Sequence, residues 1–83
     1  MGRLDVDELN LVLERAASLF GFSATARIEE DAVEFDAISW QKGGAIHHSV
    51  SCPIHQVQAN PAEAARDFIE SARAFLPCGT PKP

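Results

Sequence analysis

Thr25-Ala26-Arg27-Ile28-Glu29-Glu30-Asp31-Ala32-Val33-Glu34-Phe35-Asp36-Ala37, continued by Ile38 through Cys52, is the stretch whose reading decides the fold. Apolar and polar residues alternate through it in three runs. The apolar positions are even-numbered in Ala24-Thr25-Ala26-Arg27-Ile28-Glu29 and odd-numbered in Val33-Glu34-Phe35-Asp36-Ala37. In Ile46-His47-His48-Ser49-Val50-Ser51-Cys52 they are mostly even again. A period of two marks a strand with one buried face, so three consecutive antiparallel strands are expected.

The switch of parity restricts the turns. Directly opposed residues share a face, so Ile28 must oppose an odd-numbered residue and Phe35 an even-numbered one. Without a bulge, each hairpin loop then holds an even number of residues, because a slip of one would turn the core face to water. Glu30-Asp31 fits as a two-residue loop, although neither residue favours positive φ. Gly43-Gly44 carries the stronger turn signal, since glycine takes left-handed conformations without steric cost. With that second turn, His47 would lie directly opposite Trp40.

Helices are expected on either side of the strands. Asp5 and Glu8 form an acidic capping box with Leu4 and Leu9 at the staple positions. Leu9, Val12, Leu13, Ala16 and Phe20 then recur at helical spacing, Gly21 is placed as the left-handed stop, and Phe22 folds back on the last turn. Leu11 falls on the opposite side. After Pro53, residues His55 to Ala59 read as a connecting loop. Asn60-Pro61-Ala62-Glu63 opens the second helix with an N-cap, a proline at the first helical position and an acid in the first turn. Ala65, Phe68, Ile69, Ala72, Phe75 and Leu76 line its buried side, and Pro77 ends it.

The expected fold is therefore α+β, a two-layer sandwich in α-β-β-β-α order. Its three-stranded antiparallel meander carries both helices on one face, because only one side of the sheet is apolar. Eighty-three residues make one domain, with an ordered core over about 4–77 and a flexible tail over 78–83.

Composition excludes several classes of function. Seven basic against twelve acidic residues leave a formal net charge of −5, and phosphate backbones are held by Lys and Arg. No hydrophobic run is long enough to span a bilayer. The start has no secretory or myristoylation signal and the end no prenylation box, so a cytoplasmic protein without direct membrane or nucleic-acid contact is expected. The two cysteines, Cys52 and Cys78, are not expected to pair. Sixteen helical residues between them cover about 24 Å, against roughly 7 Å between the Cα atoms of a disulfide. Cys52 has core parity and Cys78 reads as an exposed thiol.

Element order and length resemble those of double-stranded RNA-binding domains. That resemblance would imply a cluster of Lys and Arg at the start of the last helix. Here Asn60-Pro61-Ala62-Glu63-Ala64-Ala65-Arg66-Asp67 carries more acid than base, so phosphate binding is not expected there.

The remaining polar residues hold the candidate chemistry. Cys52 and His55 have ligand spacing at a strand end, but His47 and His48 point to opposite faces. His48 and Cys52 stand about 13 Å apart along an extended strand, so no metal or other cofactor is expected. His48 reads as a histidine at the sheet–helix boundary that bonds a backbone carbonyl, or as a packing position sensitive to protonation. Asp36, His47 and Ser49 can be drawn as a hydrolytic triad, but on a flat face with no oxyanion donors and no enclosing pocket. No enzyme is expected.

What remains is the outer face of the sheet. Trp40 and Ile38 are apolar on the otherwise polar side, with Glu29, Glu34, Asp36 and His47 around them, and Arg27 across from Glu34. Aromatic residues are enriched among interface hot spots. These six residues, Trp40, Ile38, Glu34, Asp36, Glu29 and His47, are the expected contact site for a protein with a basic, partly apolar groove. In size and charge the chain is similar to small inhibitors encoded by phages and mobile elements. Among them are anti-CRISPR proteins, which occupy the basic nucleic-acid channels of nucleoprotein complexes. The alternative is a homodimeric structural or complex subunit, joined at the edge strands or at the exposed faces.

Overall fold

The computed structural model describes residues 4–76. The first helix, α1, spans Val6–Ser18 and is followed by strands β1 (Ser23–Glu29), β2 (Ala32–Gln41) and β3 (Gly44–Pro53). A six-residue helix, α2 (Ile54–Ala59), and a longer one, α3 (Pro61–Phe75), complete the order. The sheet is the expected antiparallel meander, β1-β2-β3. Both long helices lie on one side of it, over the odd-numbered residues of β2 and the even-numbered residues of β1. The expectations for Pro77, Cys78 and the tail lie outside the described residues.

α1 begins where Asp5 accepts hydrogen bonds from the backbone N–H groups of Asp7 and Glu8. It ends in a Schellman arrangement: Phe22 N–H donates to the carbonyl of Ala17 and Gly21 N–H to that of Ser18. Gly21 takes the left-handed conformation, φ 82°, that lets the chain turn back and bury Phe22. The buried stripe of α1 is Leu9, Leu13 and Ala17; Val12, expected on it, is exposed.

The first hairpin turns through Glu30-Asp31, with Glu29 opposite Ala32, Ile28 opposite Val33 and Ala26 opposite Phe35. Glu30 itself takes the positive φ, 53°. The second hairpin corrects the sequence reading. Gln41 opposes Gly44, so the loop is Lys42-Gly43, and Trp40 faces Ala45 while His47 faces Ile38. Both registers keep every side chain on its own face, because they differ by two residues, and alternation cannot tell them apart.

Residues 54–59 are likewise a helix and not a loop. The N–H of Ile54 donates to the carbonyl of Asp31 at 2.8 Å, pinning the start of α2 against the first hairpin, and Val57 is its one buried side chain. So short a helix is marginal alone; this packing holds it. Asn60 then caps α3 by accepting from the N–H of Glu63, with Pro61 in the first turn.

The core fills the space between sheet and helices. Phe35 is completely buried on β2 and its ring stacks on Phe68 of α3 at 5.1 Å between centroids. Around them lie Val33, Ala37, Leu13, Val57, Ile69 and Ala72. Ser39 is the one buried polar residue of this set, and the Gln41 side chain donates to its hydroxyl at 2.8 Å. Phe75, expected inside, is 62% exposed; its ring meets His48 of β3 at 4.9 Å between centroids.

Candidate functional site

The outer face is built by the residues that alternation leaves away from the helices. β2 supplies Glu34, Asp36, Ile38 and Trp40 down its middle. Register then sets their neighbours: Arg27 and Ser51 flank Glu34, Thr25 and Ser49 flank Asp36, and Ser23 and His47 flank Ile38. β1 pairs only as far as Ile38, so Trp40 stands beyond its end, beside the small Ala45. The indole is 49% exposed.

Asp36 is the centre of the polar part. Its Oδ1 accepts a hydrogen bond from the Ser49 hydroxyl at 2.8 Å, and His47 Nδ1 lies 3.9 Å from the same oxygen. Serine and histidine therefore both address the carboxylate. In a hydrolytic relay the serine would instead give its proton to the imidazole, with the carboxylate on the far ring nitrogen. The order of bonds here is not that of the relay. The surrounding concavity, about 360 Å³ and open to solvent, is shared by Arg27, Glu34 and Thr25.

Arg27 lies across from Glu34 in the register but pairs with Glu29 on its own strand, Nε to Oε2 at 3.1 Å. Both partners are well exposed, so this pair contributes little to stability. It does neutralise Glu29. The remaining negative charge of the face lies on Glu34 and Asp36, the second of them hydrogen-bonded by Ser49.

The structure brings Glu34, Asp36, Ile38 and His47 into one patch. Trp40 is contiguous with it at one end. Glu29 is not: it opposes Ala32, eight residues along β2 from Trp40, a distance of about 27 Å. A contact centred on Trp40 would not reach Glu29 unless it covered the whole sheet.

His48 lies on the other side, between sheet and helix. Its Nε2 is 3.0 Å from the Ser71 hydroxyl of α3. Its ring stacks against Phe68 at 5.8 Å and meets Phe75 at 4.9 Å. The partner is thus a side-chain hydroxyl where a backbone carbonyl was expected. The aromatic sandwich also gives the exposed Phe75 its place. Farther along the same strand, burial raises the pKa of the half-buried Cys52 thiol. Among the described residues, no three of His, Cys, Asp and Glu come together in a group that would hold a metal ion. Nor, among them, is any helix long and apolar enough to cross a membrane.

One residue that alternation did not flag proves decisive for the edges of the sheet. Asn10 of α1 reaches over β1, donates from Nδ2 to the carbonyl of Ala26 at 2.9 Å, and accepts at Oδ1 from the N–H of Ala26 at 2.7 Å. Its amide occupies the place of a neighbouring peptide group and covers that edge at Ala26. The small side chains of Ala24 and Ala26, both buried, let α1 come close enough for this. A polar residue beside Leu9 was the only sequence signal.

Comparison with protein-family models, with curated proteins and with solved structures found no match.

Proposed function

We propose that this chain is a non-enzymatic protein-binding module whose outer sheet face, centred on Trp40, Ile38, Glu34 and Asp36, engages a basic and partly apolar surface of a partner protein. The observation that supports it is a half-exposed indole, contiguous with a half-buried isoleucine and two carboxylates, on a sheet face that no helix among the described residues covers. An aromatic anchor beside neighbouring charge is the composition of a binding hot spot with steering. In its narrower form the reading is an inhibitor of the anti-CRISPR kind, whose carboxylates take the place of phosphates in a basic channel.

The test is affinity capture with the wild-type chain, Trp40→Ala and the double variant Glu34→Lys/Asp36→Lys, with quantitative mass spectrometry and a heparin wash. A partner that both variants lose and heparin displaces supports the reading. Loss of a hot-spot tryptophan costs about 2 kcal/mol or more, roughly thirtyfold in affinity. A partner retained equally by all three chains counts against this face, and a partner lost by the variants but resistant to heparin counts against the basic channel.

A further inference from the structure

We propose that the open edge of β3, together with the groove between it and α3, is a docking site for an extended segment of a partner chain that carries both apolar and basic side chains. The segment adds to the sheet as a fourth strand. This site is separate from the outer face and does not depend on the reading of Trp40.

Backbone geometry identifies the edge. In an antiparallel strand the N–H and C=O of one residue point to the same side, and the side alternates along the chain. Ala26 gives both groups to Asn10, so they point away from β2. Carried through the register Ala26, Phe35, Val50, the alternation turns the groups of Val50 toward β2. Those of His47, Ser49 and Ser51 point outward. Among the described residues, none of these three takes part in a backbone hydrogen bond outside the ladder.

β3 also lacks the features that protect edge strands. Such strands are commonly short, bulged, or marked by charge or proline. β3 runs ten residues, Gly44–Pro53, in unbroken register with β2. It contains no Lys, Arg, Asp or Glu, and its one proline is the last residue.

The groove selects the occupant. It opens between β3 and α3 with a volume of about 270 Å³. Val50, Cys52 and Phe68 form its apolar floor, Glu63 and Asp67 stand on the helix side, and among the described residues no Lys or Arg lines it. A strand added at this edge places alternate side chains over the groove. Apolar ones meet the floor, and a Lys or Arg among them meets the two carboxylates. A second copy of this chain fits less well. It would bring an uncharged β3 and a further Glu63 and Asp67 to the junction, and each copy carries a net charge of −5.

The test uses a fluorescein-labelled, end-blocked peptide Thr-Val-Thr-Lys-Thr-Val-Thr and its counterpart with Glu for Lys, titrated with the full chain by anisotropy at low salt. Saturable binding of the Lys peptide is expected, with the Glu peptide weaker by at least about tenfold, the equivalent of one charge-assisted hydrogen bond. Ser51→Pro removes an outward N–H and no ladder bond; Asp67→Lys, on the exposed helix surface, leaves the edge intact. Each is expected to weaken the Lys peptide by about tenfold or more with an unchanged circular dichroism spectrum, and Trp40→Ala is expected to bind as wild type. If Ser51→Pro does not fold, Asp67→Lys and the Glu peptide carry the test. Absence of saturable binding, equal binding of the two peptides, or binding indifferent to Asp67→Lys would overturn the proposal. So would a wild-type dimer in sedimentation that Ser51→Pro converts to monomer, which would put a second copy on the edge.

Discussion

Asn10 shows how one side chain settles a property of the whole sheet. Its amide makes two hydrogen bonds to Ala26 and a third to the carbonyl of Val6 at 2.9 Å. Asn10→Ala removes all three and leaves a partly buried backbone pair to find water. A loss of about 1–3 kcal/mol is expected, read as a lower urea midpoint at unchanged slope. Cys52 carries the prediction of pH dependence. Burial holds its thiol pKa above the ordinary value, so the folded chain keeps a proton that the unfolded chain gives up. The stability from this group is complete below the unfolded pKa, about 8.5, and is lost as pH rises through the higher folded value. Urea midpoints should therefore fall above about pH 8.5, and Cys52→Ala should flatten that fall. An identical slope in the variant would show that another group is responsible. At this scale the sequence was partly legible: the parity of Cys52 placed it on the helix side. The reach of Asn10 was not, since it depends on how closely a helix settles on two alanines.

At the scale of elements, caps and turns carry the argument. Asp5, Gly21, Asn60 and Pro61 act where local chemistry puts them, because a cap needs only the backbone of its own first or last turn. The second hairpin differs. Gly44, and not Gly43, holds the left-handed backbone, φ 145°, and a Cβ at either glycine would meet open space. Any cost at Gly44 is therefore conformational. Gly44→Ala is expected to destabilise by about 1 kcal/mol. Gly43→Ala is expected to be neutral or to stabilise by up to about 1 kcal/mol through the unfolded chain. Thermal unfolding of the pair checks it; equal losses would return the strained position to Gly43. The same register shift of two moves His47 from Trp40 to Ile38 and so beside Asp36, assembling a polar cluster that alternation alone separated by one row. α2 escaped the sequence reading for a related reason. Its six residues carry no cap signal of their own, and the bond from Ile54 to Asp31 comes from a distant turn.

For the molecule as a whole, the joint between layers is the stack of Phe35 on Phe68, with Val33, Leu13 and Val57 completely or almost completely buried beside it. Phe35→Ala is expected to cost about 3–5 kcal/mol, transfer and cavity together, a large share of the stability of a small domain. Chemical denaturation would read it, and a loss under about 1 kcal/mol would mean that the core collapses around the gap. The cover over the sheet is uneven. α1 covers the β1 side and its edge at Ala26, whereas α3 leaves Val50 and Cys52 half-buried and Phe75 outside, and this asymmetry creates the proposed strand-docking groove.

By itself the sequence determined the two long helices, the three strands and their order, the face each strand turns to the core and the outward position of Trp40, Ile38, Glu34 and Asp36. Those properties follow from side-chain period, parity and capping, which act over a few residues. Tertiary structure alone decided the register of the second hairpin, the pairing of Arg27 with Glu29, the helix over residues 54–59 and which edge of the sheet stays open. The last two depend on the distance between parts remote in sequence, and the first two are choices between alternatives that side-chain period leaves equal. Local pattern cannot encode that distance; packing of a helix against alanines, and of rings against rings, sets it.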